Sequence, residues 1–179
     1  MAGVLALTRP VAGDYDPASA GYVSRAPDIT DAVREFESQR DGMLRMLSPL
    51  SEARVAFRYA PGKWSVREVV GHLSDAERIL SYRLLRIARG DQTPLPGFDE
   101  EAYVAAAGFE SRPFATVLQE WSAVRNATSA LIGGLPHDAW TRRGMANAKS
   151  VTAPALVYIM LGHVEHHRVI LEERYGIRN

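Results

Sequence analysis

The residues in this chain best suited to chemistry are histidines. Three of the five fall in the segment Gly162-His163-Val164-Glu165-His166-His167. Leu156, Ile159, Met160 and Ile170 share a stripe with His163 and His167, which predicts an amphipathic helix. Residues four apart lie on one helix face with Cβ atoms about 5–6 Å apart, so His163 and His167 point the same way. His72 sits in a second helical pattern, three residues after Val69 and four before Ala76, and also faces inward. Three imidazoles from two facing helices can hold one ion and leave a coordination position open. That is the arrangement of a reactive metal site rather than a closed structural one.

A buried neutral histidine whose ring nitrogens lack partners costs on the order of 1–3 kcal/mol. A metal ion satisfies one nitrogen of each ring. The competing reading is core histidines bonded to backbone or to carboxylates. Imidazole ligands suit Zn, Ni, Fe or Cu, and a thiolate-free histidine site is unsuited to Mg or Ca. One divalent transition ion (Zn, Ni or Fe) is therefore expected on His72, His163 and His167. Ligating histidines usually give their second N–H to a carboxylate or carbonyl. Asp75, Glu68 and Glu165 are the nearest carboxylates in sequence, each also readable as a solvated or capping group. His166 is turned about 100° from His167 and belongs at the edge of the bundle. His137 follows Pro136 in a link and faces solvent or caps. Glu165 stands two residues after His163, so the His-Glu-x-x-His arrangement with glutamate as base does not apply. A nucleophile elbow, a phosphate-cradling glycine loop and a dinucleotide fingerprint are all missing from the sequence.

Four long helical patterns must position these side chains. The first runs from about Asp28 or Thr30 to Leu50, with Val33, Phe36, Met43, Leu44 and Leu47 as its stripe. The second opens with the turn Pro61-Gly62-Lys63 and a capping box of Ser65 with Glu68. Val66, Val69, Leu73, Ala76, Leu80 and Leu84 continue it to a stop at Gly90. The third runs from about Ser111 to Ile132 and the fourth from about Thr152 to Tyr175. Each has Pro in its first turn and Gly after its last. Residues 91–110 and 133–151 are long links, the first holding a short helical turn around Glu100–Ala106. Val55–Tyr59 is the only alternating stretch, and it is short. Residues 1–27, rich in Pro, Gly and Ala, read as an extended N-terminal arm laid over a bundle domain of residues 28–179. The alternative is a partly disordered terminus. Trp64, Arg83, Tyr103 and Trp121 could line a pocket, but aromatic helix residues are more often core and Arg83 more often surface. No catalytic residue is singled out.

Composition sets the class. The 179 residues suit one domain, with 46% hydrophobic and 23% charged residues, ordinary for a soluble globular chain. Basic and acidic residues balance at 21 each, so no net field draws nucleic acid or an anionic membrane. The basic stretch Arg83–Arg89 alternates with apolar residues and reads as a solvated face. Cysteine is absent, which removes disulfides, thiolate zinc sites and cysteine nucleophiles. The start, Met1 to Pro10, is a poor signal peptide, and no apolar run reaches the ~18 residues of a membrane span. A cytoplasmic location is expected.

Gly62-Lys63-Trp64-Ser65-Val66-Arg67-Glu68-Val69-Val70-Gly71-His72-Leu73-Ser74-Asp75-Ala76-Glu77-Arg78 resembles the second-helix signature of the DinB-like superfamily. Gly162-His163-Val164-Glu165-His166-His167-Arg168-Val169-Ile170 resembles its fourth-helix signature, and Thr93-Pro94-Leu95-Pro96-Gly97-Phe98-Asp99 fits one branch. The likeness runs from about residue 29 to about residue 175. It implies an all-α four-helix bundle of up-down-down-up connectivity, often a homodimer. It also implies a divalent metal held by three histidines, at positions matched here by His72, His163 and His167. The activities it implies include transfer of low-molecular-weight thiols such as bacillithiol and mycothiol-dependent isomerisation of maleylpyruvate. Many members have no assigned activity and are called metal-dependent hydrolases. Some mycothiol-type relatives carry Glu where this chain has His163, which argues against the isomerase branch.

Three functions suit such a site. The first is transfer of a low-molecular-weight thiol to a small electrophilic substrate, with the ion lowering the thiol's pKa. The second is hydrolysis by metal-activated water at the same site. The third is a non-enzymatic metal- or ligand-binding bundle. Thiol transfer is the expectation taken forward.

Overall fold

A computed structural model describes residues 5–178. The first four residues of the expected arm, with part of the segment weighed as a signal peptide, lie outside this range. The elements run α1 (Ala20–Arg25), α2 (Ala32–Leu47), α3 (Glu52–Val55), α4 (Val66–Ala88), α5 (Glu100–Ala107), α6 (Phe114–Gly133), β1 (Arg143–Ala146), β2 (Lys149–Thr152) and α7 (Ala153–Glu173). The helices α2, α4, α6 and α7 form the four-helix bundle of up-down-down-up order. Around it, α6 packs on α2 and α4, and α7 packs on α4 and more lightly on α2. The link carrying α5 is long enough to return along the bundle, so α4 and α6 need not be antiparallel neighbours.

The helix starts are set by local chemistry. Asp31 accepts from Arg34 N–H, and Asp99 from Ala102 N–H. Thr152 accepts from Ala155 N–H, with Pro154 in the first turn of α7. At α4, Ser65 and Glu68 close both halves of the capping box. These caps satisfy N–H groups that the helix itself leaves unpaired.

Two local expectations are corrected. Val55–Tyr59 is not a strand: Val55 ends α3, and its buried side chain joins the core. The strands instead form the hairpin β1–β2, paired from Arg143↔Thr152 to Ala146↔Lys149. Its turn residues Asn147 and Ala148 both have positive φ, at 52° and 58°, the backbone of a type I′ turn. An Asn-Ala pair is a weak signal for that turn, because Gly usually takes the second place. Leu95 adds a parallel bridge to Ala146, so the link after α4 is tied to the hairpin.

The arm lies over the domain, but it is partly helical rather than extended. Pro17–Ser19 form a 3₁₀ turn and α1 follows. Leu7 pairs with Ile29, and the Tyr158 hydroxyl on α7 donates to Leu7 O at 2.9 Å. Arg9 pairs with Asp28 at 2.9 Å and covers the Tyr158 ring. Helix α1 crosses α7 at Gly162, where a Cβ would stand 1.8 Å from Tyr22 O. That clash is with backbone, so no rotamer relieves it. Gly162→Ala is expected to cost about 1–3 kcal/mol as overpacking and to lift α1 from the bundle. Urea unfolding and trypsin cleavage after the exposed Arg25 would read this; an unchanged midpoint and digestion pattern would rule out the docking.

Candidate metal centre

Helix α4 presents His72, and α7 presents His163 and His167 one turn apart. The three are 5%, 7% and 8% exposed. His72 Nε2 and His163 Nε2 are 3.0 Å apart, and one ligand nitrogen from each of the three rings lies within 4.8 Å of the others. Imidazole nitrogens at about 2.0–2.1 Å from one tetrahedral ion stand roughly 3.3 Å from each other, so the spacing suits a shared ion. His167 Nδ1 is buried without a hydrogen-bond partner, a vacancy in polar pairing that folded proteins seldom tolerate without a reason.

Burial holds the triad in the form a metal needs. His72 is pushed down to about 4, first by burial and then by the charge of His166. Burial also pushes His163 and His167 well below the ordinary imidazole range, with the neighbouring rings adding to it. All three are thus neutral at neutral pH, with lone pairs free to ligate.

The other polar candidates are engaged elsewhere. Glu68 is held by the capping box and Arg58. Asp75 reaches Arg78 at 3.5 Å, and Glu165 reaches Arg168 at 2.7 Å. His166 sits half-buried at the bundle edge, edge-on to Tyr22 with ring centroids 5.5 Å apart. His137 is exposed in the 3₁₀ turn before β1.

Two aromatic rings wall the triad. Trp64 lies over His72 with centroids 4.7 Å apart and nearly parallel to His167 at 6.4 Å. Its indole N–H donates to Glu101 of α5 at 3.0 Å, and Tyr175 OH donates to its carbonyl at 2.6 Å. On another side, Tyr22 of α1 meets His163 edge-on at 5.2 Å. A cavity of about 180 Å³ opens from His72 and His163, lined also by Ser19, Tyr22, Phe98 and Glu100.

Of the residues expected to line a pocket, Trp64 flanks the triad, and Arg83 and Tyr103 line a neighbouring cavity. Trp121 does not: it is fully buried in the core, beneath α2 and α4. Nor is Arg83–Arg89 simply a solvated face. Arg83 is buried and donates to Pro96 O at 2.7 Å, because the link after α4 folds back over it. The sequence reading, which took Tyr22 as a possible anchor of the arm, gave no place in the site to Tyr22, Phe98 or Glu100. They come from the arm and the first long link, where no periodicity says which way a side chain turns.

An ion pair lies deeper in the bundle. Glu77 of α4 and Arg125 of α6 are 3.1 Å apart, with side chains 2% and 0% exposed. The Arg125 guanidinium also covers the Phe36 ring at 4.4 Å. Its charge contributes to lowering the pKa of His163.

Comparison with known proteins identifies the family and the fold. The family model of the DinB superfamily matches residues 9–171. A curated protein of Oceanobacillus iheyensis, provisionally named a metal-dependent hydrolase, is 26% identical over 77 residues. That match covers 42% of this chain and 44% of the relative, so the chain spans less than half the length of the protein it resembles. Among solved structures, YfiT from Bacillus subtilis superposes with a TM-score of 0.68 at 20% identity, over 82% of this chain and 87% of that one. It is described as a probable metal-dependent hydrolase with an unusual four-helix bundle topology. A mycothiol-dependent maleylpyruvate isomerase superposes with a TM-score of 0.66 at 14% identity, over 82% of this chain and 60% of that one. At these identities the likeness to solved structures establishes the fold.

Proposed function

The chain belongs to the DinB superfamily, and from that premise we propose that it is a divalent-metal enzyme transferring a low-molecular-weight thiol to a small electrophile. The observation that carries this reading is a cluster of three buried imidazoles, two of which, His72 and His163, line a cavity. His72, His163 and His167 would hold the ion, with Zn, Ni or Fe suiting an all-nitrogen donor set. When bound, a divalent ion lowers the pKa of a thiol or a water at its open position.

The chain's own residues shape what enters. Trp64 and Tyr22 wall the triad on two sides and limit water there. The Tyr22 and Ser19 hydroxyls offer hydrogen bonds, and Phe98 and Leu80 offer apolar contact. Glu101 holds the Trp64 indole in place. The relative named for mycothiol-dependent isomerisation shares the fold and supports a thiol as co-substrate. The relatives named as metal-dependent hydrolases support a second reading, hydrolysis at the same triad. We further propose that the protein acts in the cytoplasm as a homodimer. Among the described residues, no helix is long and apolar enough to cross a membrane.

The test is conjugation of monochlorobimane by the Zn- or Ni-loaded protein with cysteine or a cysteinyl pseudodisaccharide as thiol, beside turnover of a p-nitrophenyl ester without thiol. Thiol-dependent conjugation above the uncatalysed rate, absent from His163→Ala, is expected. Ester turnover that needs no thiol would favour hydrolysis instead. Neither activity from metal-loaded protein would refute both.

A further inference from the structure

The feature left unused by this reading is Arg83. Its side chain is 9% exposed, and its Nε has no hydrogen-bond partner. One amine donates to Pro96 O at 2.7 Å. Among the described residues no carboxylate lies within ion-pair distance of it, although most arginines of the fold have one. A buried guanidinium without a counter-charge is costly, and its planar fork matches a carboxylate.

Arg83 does not face packed protein. It lines a cavity of about 100 Å³ together with Lys149, Asn147 and Asp16. Asp16 offers the opposing charge, but one of its oxygens caps the turn at Ala18 N–H. The two cations against one carboxylate leave this end positive. The cavity shares Ser19, Leu80 and Ile159 as walls with the cavity at the triad, so the two adjoin across these residues.

The helix geometry explains why they adjoin. His72, Ala76, Leu80 and Arg83 follow one face of α4, since eleven residues bring the helix back within about 20°. On α7, Leu156, Ile159 and His163 follow the opposing face. The stretch between α4 and α7, from the imidazoles to the guanidinium, is thus walled by Ala76, Leu80, Leu156 and Ile159. Its span along α4 is about 16 Å between the His72 and Arg83 backbones.

We propose that the ligand of this site is an elongated, carboxylate-ended molecule, its acid group anchored by Arg83, its apolar middle along Leu80 and Ile159, and its reactive end at the triad. This inference rests on the proposed function only for what happens at the reactive end. The anchor stands or falls with the metal absent.

The test therefore has two arms. In the first, metal-free protein is titrated with octanoate and with octan-1-ol, and Leu80 and Ile159 methyl shifts are followed by NMR. In the second, Zn-loaded protein is titrated with 8-mercaptooctanoate and 8-mercaptooctan-1-ol. Wild type is expected to prefer the acid roughly tenfold or more in the first arm, the scale of a hydrogen bond to a charged group. Arg83→Met should lose that preference and Arg83→Lys keep part of it, each with a wild-type NMR fold. No acid preference in wild type, which needs no variant to fold, overturns the proposal. So does a preference that survives in folded Arg83→Met. Acid preference in the first arm, with no gain from the thiol in the second, supports the anchor and counts against thiol chemistry at the triad.

Discussion

Replacing His163 by Ala is expected to abolish stoichiometric metal binding. His163 is the hinge of the triad: its Nε2 is 3.0 Å from His72 Nε2, and His167 lies one turn away on the same helix. Without it, two imidazoles from different helices remain, and Glu68, Asp75 and Glu165 are each engaged with an arginine. Loss of an outer-shell partner alone costs about 10–100-fold in metal affinity, so loss of a ligand should exceed that. Metal content by mass spectrometry should give about one equivalent of Zn, Ni or Fe in wild type and essentially none in the variant. Thermal unfolding gives an independent reading. An ion at about a hundred times its dissociation constant adds about 2.7 kcal/mol, which for a domain of this size raises Tm by about 5–10 °C. That rise should vanish in His163→Ala. Wild-type protein that takes up no ion, even when incubated with Zn and Ni, would sink the metal reading. Retention of the ion by the variant would mean that the ligands are misassigned.

The second large effect concerns Glu77. Glu77→Leu should destabilise the protein by about 3–5 kcal/mol, because it leaves the wholly buried Arg125 charged and unpaired. Burial raises the pKa of Glu77 even though Arg125 opposes the shift, so desolvation outweighs pairing at this carboxylate. The pair itself should therefore contribute little net stability. The double variant Glu77→Leu/Arg125→Met should lie close to wild type or above it, since apolar replacement of both partners removes the desolvation cost. Urea midpoints of the two single variants and the double would decide. A single variant within about 1 kcal/mol of wild type would show that the pair is hydrated in solution. A double variant as unstable as the single would mean that the pair holds the bundle's packing in register.

The bundle and its triad were legible early because their signals are local. Helix α4 starts where Ser65 and Glu68 make a capping box, and that box needs only residues three apart. His163 and His167 share a face because the helix repeat puts residues four apart together. His72 could be read as inward from Val69 and Ala76 beside it. The resemblance to a known superfamily added the connectivity, which spacing alone does not contain. Where local signals were weak, the reading failed in identifiable ways. The Asn147-Ala148 turn hid a hairpin, and the alternation at Val55–Tyr59 suggested a strand where the chain ends α3 at Val55 and continues without regular structure.

The sequence by itself determined which residues could ligate and which helix faces they occupy, because helical periodicity is a property of the chain alone. The tertiary structure decided what surrounds them. It laid α1 across Gly162 so that Tyr22 meets His163, brought Glu101 to the Trp64 indole, and folded the link after α4 over Arg83. These contacts join residues 37 and 13 apart, and for Tyr22 and Gly162 nearly the whole length of the chain. No local pattern records such distances. They are set when the helices pack, and packing alone brought histidines of two helices together into a walled site with a cavity beside it.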